Sequence, residues 1–218
     1  MTRNPSLREL GAFALLLGAL PTPAAAHSTF KGMGTFYSFM LHPFVVPAHL
    51  LLLIATGLML GQQDSRIGGM GLRALAVGLV FGLLLDAGLG NETVPERGLL
   101  LVALLLGAAV SLGRSMPFPL VMLGSGVAGL MIGLDSAPGV VNTQTLALAY
   151  AGLSFGIMWI VTIIEGYTVD LTRDWQSIGK RIVGSWIVAA SLLTLTLSFY
   201  APSKQAVAAA QMTVVHNQ

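Results

Sequence analysis

Two histidines stand seven residues apart at the head of an apolar run, FMLHPFVVPAHLLLLIATGLMLGQQ, over residues 39–63. His42 and His49 carry the imidazoles, Pro43 and Pro47 lie between them, and little else in the stretch is polar. Imidazole is the commonest metal ligand in proteins, and an ionisable side chain inside an apolar span is a functional-site candidate by default. The alternative is structural, since two histidines on one face can hydrogen-bond neighbouring helices. Residues seven apart return to within about 20° around an α-helix but lie about 10 Å apart along its axis. A straight helix would therefore strain to bring both rings to one ion. The prolines matter for that reason, because each removes a helix hydrogen bond and Pro47 can bend or break the segment. Either both rings close on one ion through the break, or they mark two steps of a path.

Few other residues could complete such a site. The chain has no cysteine, which excludes disulfides, thiolate ligands and a Cys nucleophile. His27, Asp86 and Asp135 are the further candidate ligands. Glu92 and Glu96 read as solvated loop residues, Glu165 as a snorkelling or ion-paired residue beside Lys180 and Arg181, and His216 as part of a polar tail. Methionines such as Met40, Met59 and Met131 read as packing. Imidazole with carboxylate suits nickel, cobalt, zinc, copper or iron, and the affinity order does not choose between them. No Gly-rich phosphate loop occurs, and Gly124-Ser125-Gly126 lies in an apolar span with no His/Asp partner, so no enzyme is expected.

The elements that must position these residues follow from composition. Of 218 residues, 55% are hydrophobic and 9% charged, against about 25% charged in a soluble domain; the mean hydropathy is +0.80. This is the composition of an integral membrane protein. A net charge of +2, from 11 Lys+Arg and 9 Asp+Glu scattered along the chain, offers no nucleic-acid footprint. Arg3 and Arg8 precede a short apolar run that ends at Ala24-Ala25-Ala26, the pattern of a secretory signal peptide over residues 1–26. Cleavage there would make His27 the mature terminus, with an amine and a ring nitrogen for one ion. An uncleaved first helix is the alternative.

Six apolar segments then predict an all-α, polytopic transmembrane helix bundle over residues 27–200, with spans at about Tyr37–Gly61, Gly71–Gly88, Gly98–Leu112, Phe118–Leu134, Leu146–Ile164 and Ile182–Tyr200. A polar tail follows at 201–218. The first loop carries Arg66 and Arg73, the third Arg114, and the fifth Arg173, Lys180 and Arg181, whereas GNETVPER is net acidic and DSAPGVVNTQ has no Lys or Arg. Positive charge on alternate loops places the odd loops in the cytoplasm and both mature termini outside. In a bacterial inner membrane both termini would be periplasmic, and His27, His42, His49, Asp86 and Asp135 would share the outer side. The fifth loop, EGYTVDLTRDWQSIGKR, reads as an interfacial turn with Trp175 at headgroup level.

A signal peptide ending before a histidine, followed by a first span opening H-P-x-x-x-x-x-H, resembles the HupE/UreJ family of hydrogenase and urease accessory membrane proteins. The family motif looks like H-P-x-x-G-x-D-H; here it stands as His42-Pro43-Phe44-Val45-Val46-Pro47-Ala48-His49, with Val46 for the glycine and Ala48 for the aspartate. Val94-Pro95-Glu96 is similar to the family's entry into the third span. The family's His-rich, acid-containing fourth-span motif is here GSGVAGLMIGLDS, in which Asp135 is the one acidic residue. The resemblance implies nickel or cobalt uptake, or metal delivery to a metalloenzyme maturation system. Its departures leave open copper or zinc, copper through a mature His27, and a structural or assembly subunit of a larger membrane complex that has lost transport. The expected partners are membrane lipid and a divalent transition metal ion.

Overall fold

A computed structural model describes residues 34–89, 96–136 and 142–200. The expected signal peptide, His27, Glu92 and the tail with His216 lie outside these residues. Among the described residues the chain is all-helical, as expected, in seven helices: α1 Thr35–Val45, α2 Pro47–Gly61, α3 Ser65–Leu89, α4 Glu96–Leu112, α5 Phe118–Leu134, α6 Thr143–Asp170 and α7 Asp174–Tyr200.

The first expected span is two helices. Val46 sits at φ −91°, ψ 110°, in extended conformation, and Pro47 opens α2. A proline's ring disfavours the helical conformation in the residue before it, and its missing N–H removes the bond that would join the two pieces. The consequence is a 79° bend between α1 and α2.

Beyond the bend α2 is apolar on all sides, and 11 of its 15 residues are buried. A helix apolar all round belongs in the middle of a bundle, and α2 packs on each of α3 to α7. The outer helices pair closely, α3 on α5, α4 on α7 and α1 on α6. Glycine makes these approaches possible. A β-carbon at Gly78 of α3 would fall on the Gly126 carbonyl of α5, and β-carbons at Gly152 and Gly156 of α6 would fall on the Phe36 and Met40 carbonyls of α1. Small residues at such crossings are the usual means of packing helices in lipid, where apolar contact with a neighbour gains little over contact with acyl chains.

The outside of the bundle carries Val77, Phe81, Leu84, Leu123, Trp186 and Leu193 at more than half exposure. So much exposed apolar surface suits lipid. The stretches Ser65–Ala87, Thr143–Asp170 and Asp174–Phe199 are long and apolar enough to cross a bilayer alone, and the bent α1–α2 pair makes a fourth span if counted as one. Helices α4 and α5 have 17 residues each, about 26 Å of rise against a core of about 30 Å. The chain is a membrane protein, with three or four such spans among the described residues.

The polar fifth loop is shorter than expected. Helix α6 runs on to Asp170 and α7 begins at Asp174, which leaves only Leu171–Arg173 between them. Polar residues at a span's end emerge into water and can continue the helix there, and Asp174 in the first turn of α7 suits the positive end of its dipole.

Candidate metal site

The bend decides where the two imidazoles go. His42 lies in the last turn of α1 and His49 in the first turn of α2. Their ring centroids are 5.7 Å apart, with the planes at 73°. With metal–nitrogen bonds of about 2.0–2.1 Å, two imidazoles sharing one ion hold their centroids roughly 5 to 6.5 Å apart. The broken backbone thus gives a spacing that the straight helix denied.

His49 is fully buried. Its Nε2 donates to Asp135 Oδ2 at 3.0 Å; a carboxylate oxygen only accepts, so the proton is on Nε2. In a neutral ring that leaves Nδ1 with a free lone pair, and among the described residues Nδ1 has no hydrogen-bond partner. A buried polar atom left unpaired costs about 1–3 kcal/mol. A histidine that gives one N–H to a carboxylate and keeps the other nitrogen bare is the form in which histidine ligates metals, the carboxylate holding the tautomer and the ring direction.

The position of Asp135 adds a second consideration. It is the C-cap of α5, with its own N–H bonded to the Met131 carbonyl. The C-terminal end of a helix carries partial negative charge and disfavours a carboxylate. Asp86 is in the same situation, near the end of α3. It is buried and accepts from the Tyr150 hydroxyl of α6 at 3.5 Å. The sequence signal for Tyr150 was the depth shared by an aspartate ending one span and a tyrosine about two turns into α6, a helix that starts at the same end of the bundle.

The expected ligands are therefore brought together only in part. His42, His49 and Asp135 converge, Asp86 keeps Tyr150 as its partner, and His27 lies outside the described residues. No group of three or more His, Cys, Asp and Glu poised to hold one ion occurs among the described residues. Glu96 is exposed at the start of α4. Glu165 does not pair with its expected neighbours: Lys180 donates to the Leu171 carbonyl and Arg181 to the Ser111 carbonyl. The Glu165 carboxylate lies instead against Gly68 of α3.

Two further buried polar residues continue the spacing of the histidines. Thr56 and Gln63 follow His49 at intervals of seven, on one face of α2 and its C-terminal extension. Thr56 Oγ1 donates to the Leu52 carbonyl at 2.7 Å. Gln63 donates to the Met59 carbonyl at 2.9 Å and accepts from the Met116 N–H at 3.0 Å. These residues close that end of the bundle rather than adding ligands.

No match was found among curated proteins or among solved structures. A family model described as "HupE / UreJ protein" matches residues 14–194, a range that takes in the H-P-x-x-x-x-x-H stretch, the bend and both carboxylates. Most of the sequence, its bent histidine-bearing segment included, thus lies within that match, and the chain belongs to the HupE/UreJ family.

Proposed function

We propose that this protein is an inner-membrane permease or metal-delivery accessory protein for a divalent transition metal ion, with nickel or cobalt as the favoured cargo and no catalytic role. The observation that carries the reading is the bare, buried Nδ1 of His49, tautomer-locked by Asp135 and 5.7 Å in ring separation from His42. In this reading the two imidazoles bind the ion, Asp135 orients His49 and supplies negative charge, and Asp86 with Tyr150 forms a second polar position. Two carboxylates at the negative ends of α3 and α5 favour a cation between the helix termini. Six spans, a cleaved signal peptide and periplasmic termini belong to the same reading, supported by the alternating loop charges.

The test compares purified wild-type protein with the His42→Ala/His49→Ala double variant by elemental analysis after nickel loading and desalting. Bound nickel near one equivalent in the wild type and negligible nickel in the variant is the expected result. Negligible metal in both defeats the binding claim. Uptake of labelled nickel into proteoliposomes then separates a carrier from a binder that delivers without transporting.

A second reading has its own observation, the lack of any cluster of three or more ligand residues among those described. A structural or assembly subunit of a larger membrane complex needs no complete site. Co-purification with a stoichiometric partner and without metal would favour it.

A further inference from the structure

Arg66 and Arg73 lie seven apart on α3, so they share one helix face. Both are exposed, and neither has a hydrogen bond or ion pair among the described residues. The same face continues beyond Arg73 through Val77 and Phe81, with Val77 69% and Phe81 56% exposed. Beside it, between α3 and α5, runs an open groove of about 590 Å³. Arg73 and Met70 lie at one end, Phe81 and Leu130 at the other, and Gly78 and Gly126 are among the residues that line it. From Arg73 to Phe81 the groove follows eight residues of α3, about 12 Å. Apart from the guanidinium its lining is apolar.

The arrangement is amphipathic in one direction. Arg73 lines the groove at the end nearer the start of α3, Arg66 stands about 10 Å further back along the helix axis, and from Arg73 the apolar groove leads away between α3 and α5. Guanidinium groups recognise phosphate oxygens by paired N–H donors. We propose that this groove is a specific site for one anionic phospholipid, whose phosphodiester is held by Arg66 and Arg73 and whose acyl chain lies in the channel over Gly126. The site is separate from the histidines and does not depend on metal binding.

Gly126 makes the proposal testable without disturbing the packing. A β-carbon there meets nothing closer than the Ala74 carbonyl at 3.8 Å, an ordinary contact, whereas one at Gly78 would strike the α5 backbone. Gly126→Leu therefore fills the channel from an open position. The full-length protein would be delipidated in detergent and titrated with phosphatidylglycerol or with phosphatidylcholine of the same chains, and lipid adducts would be counted by native mass spectrometry. Monodisperse elution and unchanged helicity serve as the folding check.

Wild type is expected to take one phosphatidylglycerol in preference to phosphatidylcholine. Arg66→Gln/Arg73→Gln should lose affinity for it by on the order of tenfold to thirtyfold while binding phosphatidylcholine as before. Gly126→Leu should lose both the adduct and the preference. Equal binding of the two lipids by wild type, or retention of the phosphatidylglycerol adduct by both variants, overturns the proposal. So does a wild-type dimer that Gly126→Leu dissociates and the arginine changes leave intact, since a second copy of the chain would then be the occupant.

Discussion

At the scale of single residues the site rests on a division of labour between the two nitrogens of His49. Nε2 is committed to Asp135, and Nδ1 is left bare in a fully buried ring. Asp135→Asn should separate these roles. The amide can still accept from Nε2, so the fold should hold, but the negative charge that raises imidazole basicity is lost. Nickel affinity measured by isothermal titration should fall by about 10- to 100-fold, with helicity and elution unchanged. An unaltered affinity would remove Asp135 from the site and leave it as a structural partner of His49. The presence of His42 and His49 was legible in the sequence because they are the chain's only histidines in an apolar span. The pairing of His49 with Asp135, 86 residues away, was not legible, because depth in a membrane is readable from span order while lateral position is not.

At the scale of elements, the bend between α1 and α2 is the decisive piece of local structure, and its cause is local: Val46 is extended because Pro47 follows it. The direction in which α1 then runs is set by α6, where Gly152 and Gly156 let the Phe36 and Met40 carbonyls approach closely. Gly156→Ala should push α1 away. Overpacking of this kind costs about 1–3 kcal/mol, and because His42 rides on α1 the nickel affinity should fall with it. Gly166 on the same helix has open space around a β-carbon, so Gly166→Ala should leave metal binding intact and, if anything, stabilise by up to about 1 kcal/mol. Thermal unfolding in detergent and nickel titration of the two variants check the contrast, and equal behaviour would mean that α1 is not held by this crossing. The prolines announced a break in advance; its 79° angle and its partner helix depended on glycines in α6 more than a hundred residues later.

At the scale of the whole molecule, α2 is a buried axis wrapped by five helices, with the histidine at one end and the hydrogen-bonded Gln63 at the other. The orientation has a direct test, made clean by the absence of native cysteine. Single cysteines introduced as Asp64→Cys and Glu96→Cys, treated with a membrane-impermeant maleimide on spheroplasts, should label at position 96 and stay unlabelled at position 64 until the membrane is opened. The reverse pattern would invert the topology and place the histidines on the cytoplasmic side.

The sequence by itself determined the class of the protein and its list of chemical parts. Composition and apolar segments set an all-helical membrane protein, and the rarity of polar residues in those segments nominated His42, His49, Asp86 and Asp135, since each carries a desolvation cost that membrane helices seldom accept without a use. Local rules also announced the break at Pro47. Only the tertiary structure decided which nominees meet. It joined His42, His49 and Asp135, gave Asp86 to Tyr150, and set Glu165, read as snorkelling or ion-paired, against Gly68 rather than against Lys180 or Arg181. Order along the chain sets a residue's depth in the bundle, whereas its azimuth comes from which helix surfaces fit together, and that fit is written in glycines spread over α2 to α7 rather than in any motif.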